Sequence, residues 1–126
     1  MEPLYLFKLA SQQARWASVR QAAVTGNIAN ADTPGYKAVD VVPFNAVLEK
    51  THLSMARTRA GHIEPTGGRD PVTKVDKDEA WDVTHSGNSV SLEQEMLKAA
   101  DVNRTFTLNN SIVRSFHRMV LSSVKP

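Results

Sequence analysis

The feature that most constrains this 126-residue chain is the uneven placement of its glycines and prolines. Four prolines and five glycines lie between positions 34 and 87, whereas positions 88 to 125 contain neither type, and positions 1 to 31 contain only Pro3 and Gly26. Because both residues interrupt helices, this distribution predicts a helix at each end and a middle rich in turns. We therefore divide the chain into an N-terminal helix over 1–31, a turn plus extended middle segment over 32–91, and a C-terminal helix over 92–126.

The N-terminal region carries an apolar stripe made mostly of small residues. Its members recur at steps of three and four, interrupted once by Gln21, as expected for one face of an α-helix. Small residues let a partner helix approach closely, although each buries little area. We expect the stripe to contact other helices, and its members are Phe7, Ala10, Ala14, Ala17, Val24 and Ile28.

The C-terminal region repeats every seven residues. One heptad position starts at Leu92, and the companion position follows either the steps of seven from Met96 or those from Glu95. Such a repeat is typical of a coiled coil, and Asn at seam positions costs stability but fixes the register. The predicted fold is therefore mainly α, with long N- and C-terminal helices paired as a coiled coil and a small loop or extended middle segment. The same repeat also fits a plain amphipathic hairpin that packs on itself. The predicted contact residues of this helix are Leu92, Met96, Ala99, Phe106, Val113 and Val120.

The ends of both helices are marked by capping and turn residues. Ser91, followed by Glu93 and Glu95, fits an N-cap with acidic residues at the positive end of the helix dipole. After the first helix, Pro34 prevents helix continuation and Gly35 can adopt a positive φ, so the chain must turn there.

The middle segment contains few periodic stretches. Residues 39–44 alternate like a short strand, the spacing within 44–53 is compatible with a brief helix, and 80–83 is a candidate second strand. Residues 57–78 show little periodicity and many turn residues. We expect Trp16 and Trp81 to anchor packing between the helices and this segment rather than to bind a ligand.

The residue types that carry most chemistry are absent or wrongly spaced. The chain has no cysteine, its four histidines have no ligand spacing, and its acidic cluster at 76–82 lacks the EF-hand pattern. It contains neither a phosphate-binding glycine motif nor a nucleophile elbow. We therefore predict no enzyme activity, no cofactor and no metal site. The net charge of +2 is spread along the chain, which argues against a dedicated nucleic-acid binder.

No apolar run is long enough for a membrane-spanning helix. The N-terminal stretch is also too short and too acidic for a cleaved secretory signal, so we expect export without one.

Residues 27–38, with the sequence NIANADTPGYKA, closely resemble the signature of the bacterial flagellar rod and hook protein family, in particular its proximal rod members. The similarity continues in TRAGHI at 58–63 and in GNSVSLEQEM at 87–96. It implies a structural subunit of the basal-body rod, whose terminal helices pair and pack with neighbouring subunits into an axial tube. That tube transmits rotation and links the membrane-embedded base to the distal rod. The residues of the signature turn are Asn27, Asn30, Asp32, Thr33, Pro34, Gly35 and Tyr36.

The resemblance also implies partners and a location. The expected partners are other rod subunits, the basal-body adaptor and MS-ring components, and the flagellar type III export apparatus. The expected location is the rod in the periplasmic space, and the unpartnered helices are expected to be largely unfolded. Within the signature turn, we expect Asn27 and Asn30 to satisfy backbone groups at the helix end, with Asn30 as a left-handed cap.

Two alternatives remain open from the sequence. One is another axial or adaptor subunit of the same family. The other, from a different class, is a helical coiled-coil regulator that binds nucleic acid, which would concentrate basic residues on one helix face.

Overall fold

The computed structural model describes residues 3–50, 72–74 and 79–125. Within these ranges the chain is mainly helical, with one long helix at each end, as the distribution of glycine and proline predicts. The elements in chain order are α1 (Pro3–Ala29), β1 (Val39–Val41), α2 (Phe44–Lys50), β2 (Val72–Lys74) and α3 (Leu92–Val124).

The helices α1 and α3 pack against each other in an antiparallel hairpin. The rings of Phe7 and Phe116 meet edge to face at 5.6 Å, whereas the other end of α1 meets α3 at Glu95. Residues later in α1 therefore contact residues earlier in α3, as expected for two antiparallel helices. At about 1.5 Å per residue, α1 is about 40 Å long and α3 about 50 Å long.

The seam of the hairpin combines small apolar residues with polar ones. On α1 it buries Ala10, Ala17 and Val24, and on α3 it buries the first three companion positions of the series from Glu95, which are Glu95, Val102 and Asn109. Asn109 of that series donates its side-chain amide to the main-chain oxygen of Ala10 at 3.0 Å. A side chain reaches a helix backbone in this way only when the helices lie close together, so the close approach predicted from the alanine stripe is confirmed.

The middle segment adds a small two-stranded sheet beside α1. β1 and β2 are antiparallel, with Val39 opposite Lys74 and Val41 opposite Val72. The predictions of β1 and of the brief helix α2 are confirmed, whereas β2 lies within residues 57–78, where the sequence shows little periodicity and no strand was predicted. The predicted strand at 80–83 is wrong, because the described residues there form bends and irregular backbone. The TRAGHI stretch at 58–63 lies outside the described residues.

The two tryptophans differ in their environments. Trp16 donates its ring N–H to the carbonyl oxygen of Val42 at 2.8 Å and packs against Phe44 with 5.9 Å between ring centroids, which confirms its packing role. Trp81 is 64% exposed, so the prediction that it anchors packing is wrong for the hairpin. None of the helices in the described ranges is both long and apolar enough to cross a membrane.

Candidate assembly site

Two segments that are distant in sequence come together beside the end of α1. We call residues 27–38 and 84–91 together the junction. The Gly35 N–H donates to Ser86 O at 2.9 Å, and the Ser89 N–H donates to Tyr36 O at 3.1 Å. The Lys37 ammonium adds a bond to Gly87 O at 2.7 Å. The junction therefore joins the signature turn to the residues that lead directly into α3.

Asn88 is the central side chain of the junction. It is 1% exposed, and its Nδ2 lies 2.8 Å from each of the carbonyl oxygens of Asn30, Ala31 and Thr33. Its Oδ1 accepts the Val90 N–H at 2.8 Å. One amide thus satisfies main-chain groups on both sides of the junction, as buried polar groups require. Residue-by-residue reasoning missed this role, although Asn88 belongs to the GNSVSLEQEM stretch that carries the resemblance.

Asn27 connects three elements from a fully buried position. Its Nδ2 donates to Val39 O at 2.7 Å and to Glu95 Oε2 at 3.1 Å, while its Oδ1 accepts the Val39 N–H at 3.0 Å and the Tyr36 hydroxyl at 3.3 Å. Asn27 therefore pairs with β1 as a neighbouring strand would. It does satisfy backbone groups, but those groups belong to β1 and not to an exposed helix end.

Asn30 closes the end of α1 through its side chain. Its Nδ2 donates to Gly26 O at 2.8 Å, so it satisfies a terminal carbonyl of the helix as expected. The left-handed cap is wrong, because in the described residues only Gly35 and Gly87 have positive φ, at 72° and 82°. The predicted positive φ of Gly35 is confirmed.

A network of charged side chains lies beside Asn27. We call Arg20, Asn27, Asp40, Glu95 and Lys98 the polar cluster. Lys98 Nζ is 3.0 Å from Glu95 Oε1 and 3.4 Å from Asp40 Oδ2, and Arg20 Nε is 3.3 Å from Asp40 Oδ1. Glu95 is 1% exposed, and a carboxylate at that depth is tolerated only when it is paired. The polar cluster therefore connects α1, β1 and α3, and its contacts fix how α1 and α3 are aligned along their length.

Arg20 extends the network towards the surface of the hairpin. Its Nη1 lies 3.1 Å from the exposed Asp101 carboxylate, and its guanidinium stands 5.4 Å from the ring centroid of Trp16. Arg20 therefore links the polar cluster to the packing around β1.

The predicted helix-contact residues divide into those inside the hairpin and those on its surface. Ala10, Ala17 and Val24 are buried in the seam. Four others are exposed in the single chain, between 39% and 63%, and these are Ile28, Leu92, Met96 and Phe106. The half-buried members are Phe7, Ala14, Ala99, Val113 and Val120. The heptad series that starts at Leu92 thus lies beside the seam, where α1 covers it only in part.

A second exposed apolar row on α3 was missed from the sequence. Leu108, Ile112 and Met119 are 59%, 46% and 61% exposed. Their spacing of four and seven residues is typical of one face of a helix. The row was not identified from the sequence because the longer heptad repeat from Leu92 was followed there. Both flanks of α3 therefore carry apolar side chains that the hairpin does not cover.

The described residues contain no cluster of three or more histidine or acidic side chains that could hold a metal ion. His85 and His117 are exposed and far apart in sequence, while His52 and His62 lie outside the described residues.

Sequence comparisons with known proteins all match flagellar basal body rod proteins. A family model described as "Flagella basal body rod protein" matches residues 11–37, which include most of α1 and the signature turn. "Flagellar basal body rod protein FlgB" of Agrobacterium fabrum is 45% identical, with 99% of this chain and 96% of the relative covered. Proteins of the same name match from Buchnera aphidicola, at 29% identity over 85% of this chain and 78% of the relative, and from Yersinia enterocolitica, at 33% over 65% and 66%.

Proposed function

The chain belongs to the FlgB family of flagellar basal body rod proteins, and from that premise we propose that its two terminal helices make the contacts that build the rod. As a member of this family it is a structural component of the rod in the flagellar basal body. The alternatives of a sister axial subunit and of a nucleic-acid-binding regulator are not favoured.

The proposal rests on one observation: α1 covers α3 only in part and leaves large apolar side chains of α3 exposed. Leu92 and Phe106 are each 47% exposed although they belong to a sustained heptad repeat. A folded chain seldom keeps rows of large apolar residues in water unless another surface covers them. Neighbouring helices in the rod supply that cover, and together they form the axial tube.

The junction and the polar cluster give each subunit a fixed shape. The junction sets the angle at which the chain leaves α1, because Asn88 holds the turn from the α3 side. The polar cluster prevents the two helices from sliding, because a shift by one turn would separate the buried Glu95 on α3 from Asn27 on α1 and would break the pair between Arg20 and Asp101. Such a hairpin can pass torque from the membrane-embedded base to the distal rod without changing its register.

The partners of the subunit follow from this role. They are other rod subunits, the adaptor and MS-ring components at the base, and the type III export apparatus that delivers the subunit to the periplasmic part of the rod. We propose no catalytic role, since the buried side chains of the junction are engaged in hydrogen bonds to main-chain groups.

The test is incorporation into basal bodies. The chain is expressed in a flagellated host that lacks its own copy of this subunit, and purified basal bodies are probed for it. The parent chain and Thr107→Ser, a substitution at an exposed neighbouring position, should be incorporated equally. Phe106→Ser should keep the helical content of the chain but reduce incorporation, because it removes an apolar contact on the flank of α3.

Two results would contradict the proposal. A chain that is exported but never found in basal bodies would exclude the rod role. Normal incorporation of Phe106→Ser would show that this flank of α3 makes no assembly contact.

A further inference from the structure

The end of α3 away from the junction has one face that carries only polar side chains. At about 100° per residue, seven residues between 104 and 125 lie about 140° to 180° around the helix from Asn109, which is buried in the seam. All seven are exposed; four are cations, three bear hydroxyls, and none is acidic or apolar. We call this face the cationic strip, and its residues are Arg104, Thr107, Ser111, Arg114, Arg118, Ser122 and Lys125.

The charge of the cationic strip is not neutralised within the described residues. Residues 103–125 contain no Asp or Glu, and the ion pairs in the described ranges are made by Arg20 and Lys98 instead. At the same end of the hairpin, α1 adds the exposed Lys8 and Arg15 and carries no acidic residue. A field of one sign attracts mobile anions and raises their local concentration.

The faces on either side of the cationic strip carry apolar side chains. Leu108 and Met119 lie on one side and Leu121 on the other, and they are 59%, 61% and 48% exposed. Under the proposed function, neighbouring helices cover such residues. The strip cannot be covered in the same way, because burial of a cation without a partner is strongly unfavourable. The strip therefore stays in contact with water after its flanks have been covered.

The shape of the cationic strip favours one kind of anionic partner. The strip is about 32 Å long but covers only about 80° of a single helix, so it is a line and not a plane. A membrane surface or a globular protein would also have to meet the flanks, whereas an extended chain of about ten residues fits such a line. The hydroxyls of Ser111 and Ser122 donate to their own helix, which leaves their oxygens free to accept main-chain N–H groups of a bound chain.

We propose that the cationic strip binds an extended, acidic segment of another polypeptide, whose carboxylates pair with Arg104, Arg114 and Arg118. Arginine suits this role because its guanidinium matches the geometry of a carboxylate. The inference rests on the proposed rod function, since neighbouring helices must cover the flanks and leave the strip open. Each ion pair is exposed to water and therefore weak, so a bound segment exchanges rapidly and can move along the strip.

Introduced thiols can report the charge of the strip, because the chain has no cysteine of its own. Ser111→Cys places a thiol within the strip, and Ser86→Cys places one at an exposed position of the junction. Ser111 lies about 28 Å along α3 from the start of that helix, so the junction is well beyond the Debye length of about 10 Å at 0.1 M salt. Basal bodies that contain either chain are treated with an anionic and a cationic thiol reagent of similar size, and the ratio of the two reaction rates is measured.

The anionic reagent should react faster than the cationic one at the thiol of Ser111→Cys. Arg114→Gln combined with Arg118→Gln should lower the ratio there by roughly three- to tenfold, because two of the nearest charges are removed. Arg114→Lys combined with Arg118→Lys keeps the charge and should preserve the ratio. Neither pair of substitutions should change the ratio at the thiol of Ser86→Cys. An unchanged ratio with the two glutamines would overturn the strip as the source of the field.

An acidic peptide tests the proposed occupant directly. A ten-residue peptide of alternating glutamate and serine should slow the reaction of the Ser111→Cys thiol with an uncharged reagent by roughly two- to tenfold at low salt. The protection should disappear at about 0.5 M salt, where exposed ion pairs are screened. The same peptide with lysine in place of glutamate should not protect. Equal protection by both peptides, or protection by neither, would overturn the acidic segment as the occupant.

Other occupants of the strip would give different results. Protection by vesicles of anionic phospholipid, but not by the acidic peptide, would assign the strip to a membrane surface. A disulfide between two Ser111→Cys copies would show that the strip packs on a second copy, and a thiol that reacts with no reagent would show that another rod protein covers it. Each of these results would overturn the proposal while the rod function stands, whereas absence of the chain from basal bodies would overturn the proposed function itself.

Discussion

At the scale of single residues, buried asparagines carry the connections between the elements of this protein. Asn27 binds the backbone of β1, Asn88 binds that of the signature turn, and Asn109 binds that of α1. An amide suits this role because it donates and accepts at the same time and carries no charge that would have to be paired. Polar residues thus occupy places that in most domains hold large apolar side chains.

The first prediction concerns Asn88. Asn88→Ala should weaken the junction by about 2 kcal/mol, because it removes the donor to three turn carbonyls and the acceptor of the Val90 N–H. The amides of Gly35, Ser89 and Val90 should then exchange with deuterium roughly 30-fold faster, under conditions in which both helices are formed. Asn110→Ala, at an exposed position of α3, is the control and should leave these rates unchanged. Equal rates in both variants would show that Asn88 does not hold the turn.

The second prediction contrasts two glycines. Gly35→Val should impair rod assembly more than export, because a β-branched residue is strained at a φ of 72°. Gly26→Ala should instead stabilise α1 by about 0.5 to 1 kcal/mol, since Gly26 lies within the helix and an added Cβ meets nothing within 4 Å. The measurement compares the amount of subunit in purified basal bodies with the amount exported. Normal assembly with valine at position 35 would contradict the role of the turn.

At the scale of elements, α3 carries two heptad series, and α1 buries residues of only one of them. Its seam with α1 follows the series from Glu95, while the stronger repeat from Leu92 lies beside that seam. Two hydrogen bonds to α1 determine which face of α3 forms the seam: the Asn27 amide donates to Glu95, and the Ala10 carbonyl accepts from Asn109. These pairings connect residues far apart in sequence, so the heptad pattern alone could not choose between the two companion series.

Other elements were predictable to different degrees. The bounds of α1 and α3 could be predicted because periodic stretches end at recognisable caps and turns. β2 could not, since a strand of three residues carries too little alternation and depends on β1 as its partner. In the site, the resemblance identified both segments of the junction, but no local pattern indicated that Asn88 would bind the turn.

The third prediction tests the register of the hairpin. Glu95→Ala should lower the free energy of unfolding by about 3 kcal/mol, because it leaves Asn27 and Lys98 without their shared buried partner. Glu93→Ala, at an exposed position in the same helical turn, should cost no more than about 1 kcal/mol, because it removes only a first-turn charge and the contact with the Ser91 hydroxyl. Thermal unfolding is followed by far-UV circular dichroism under conditions in which both helices are formed. A double-mutant cycle with Asn27→Ala should show coupling, and additive effects would show that the two residues act independently.

At the scale of the whole molecule, the hairpin buries little apolar surface for its length. Its seam consists largely of alanine, valine and asparagine, while many of its larger apolar side chains lie on the outside. Ordering each residue of α1 and α3 costs about 1 to 2 kcal/mol in backbone entropy alone, which such a seam offsets poorly. We therefore expect neighbours in the rod to complete the stabilisation of the subunit.

The measurement that tests this expectation most directly is far-UV circular dichroism of the dilute chain, repeated after mixing with the neighbouring rod and base proteins. The account predicts low helicity for the chain alone and a clear rise on mixing, towards the 27 and 33 helical residues of α1 and α3. Full helicity in the dilute chain that does not change when the partners are added would contradict it. The hairpin would then be stable by itself, and its exposed apolar rows would not be needed for its folding.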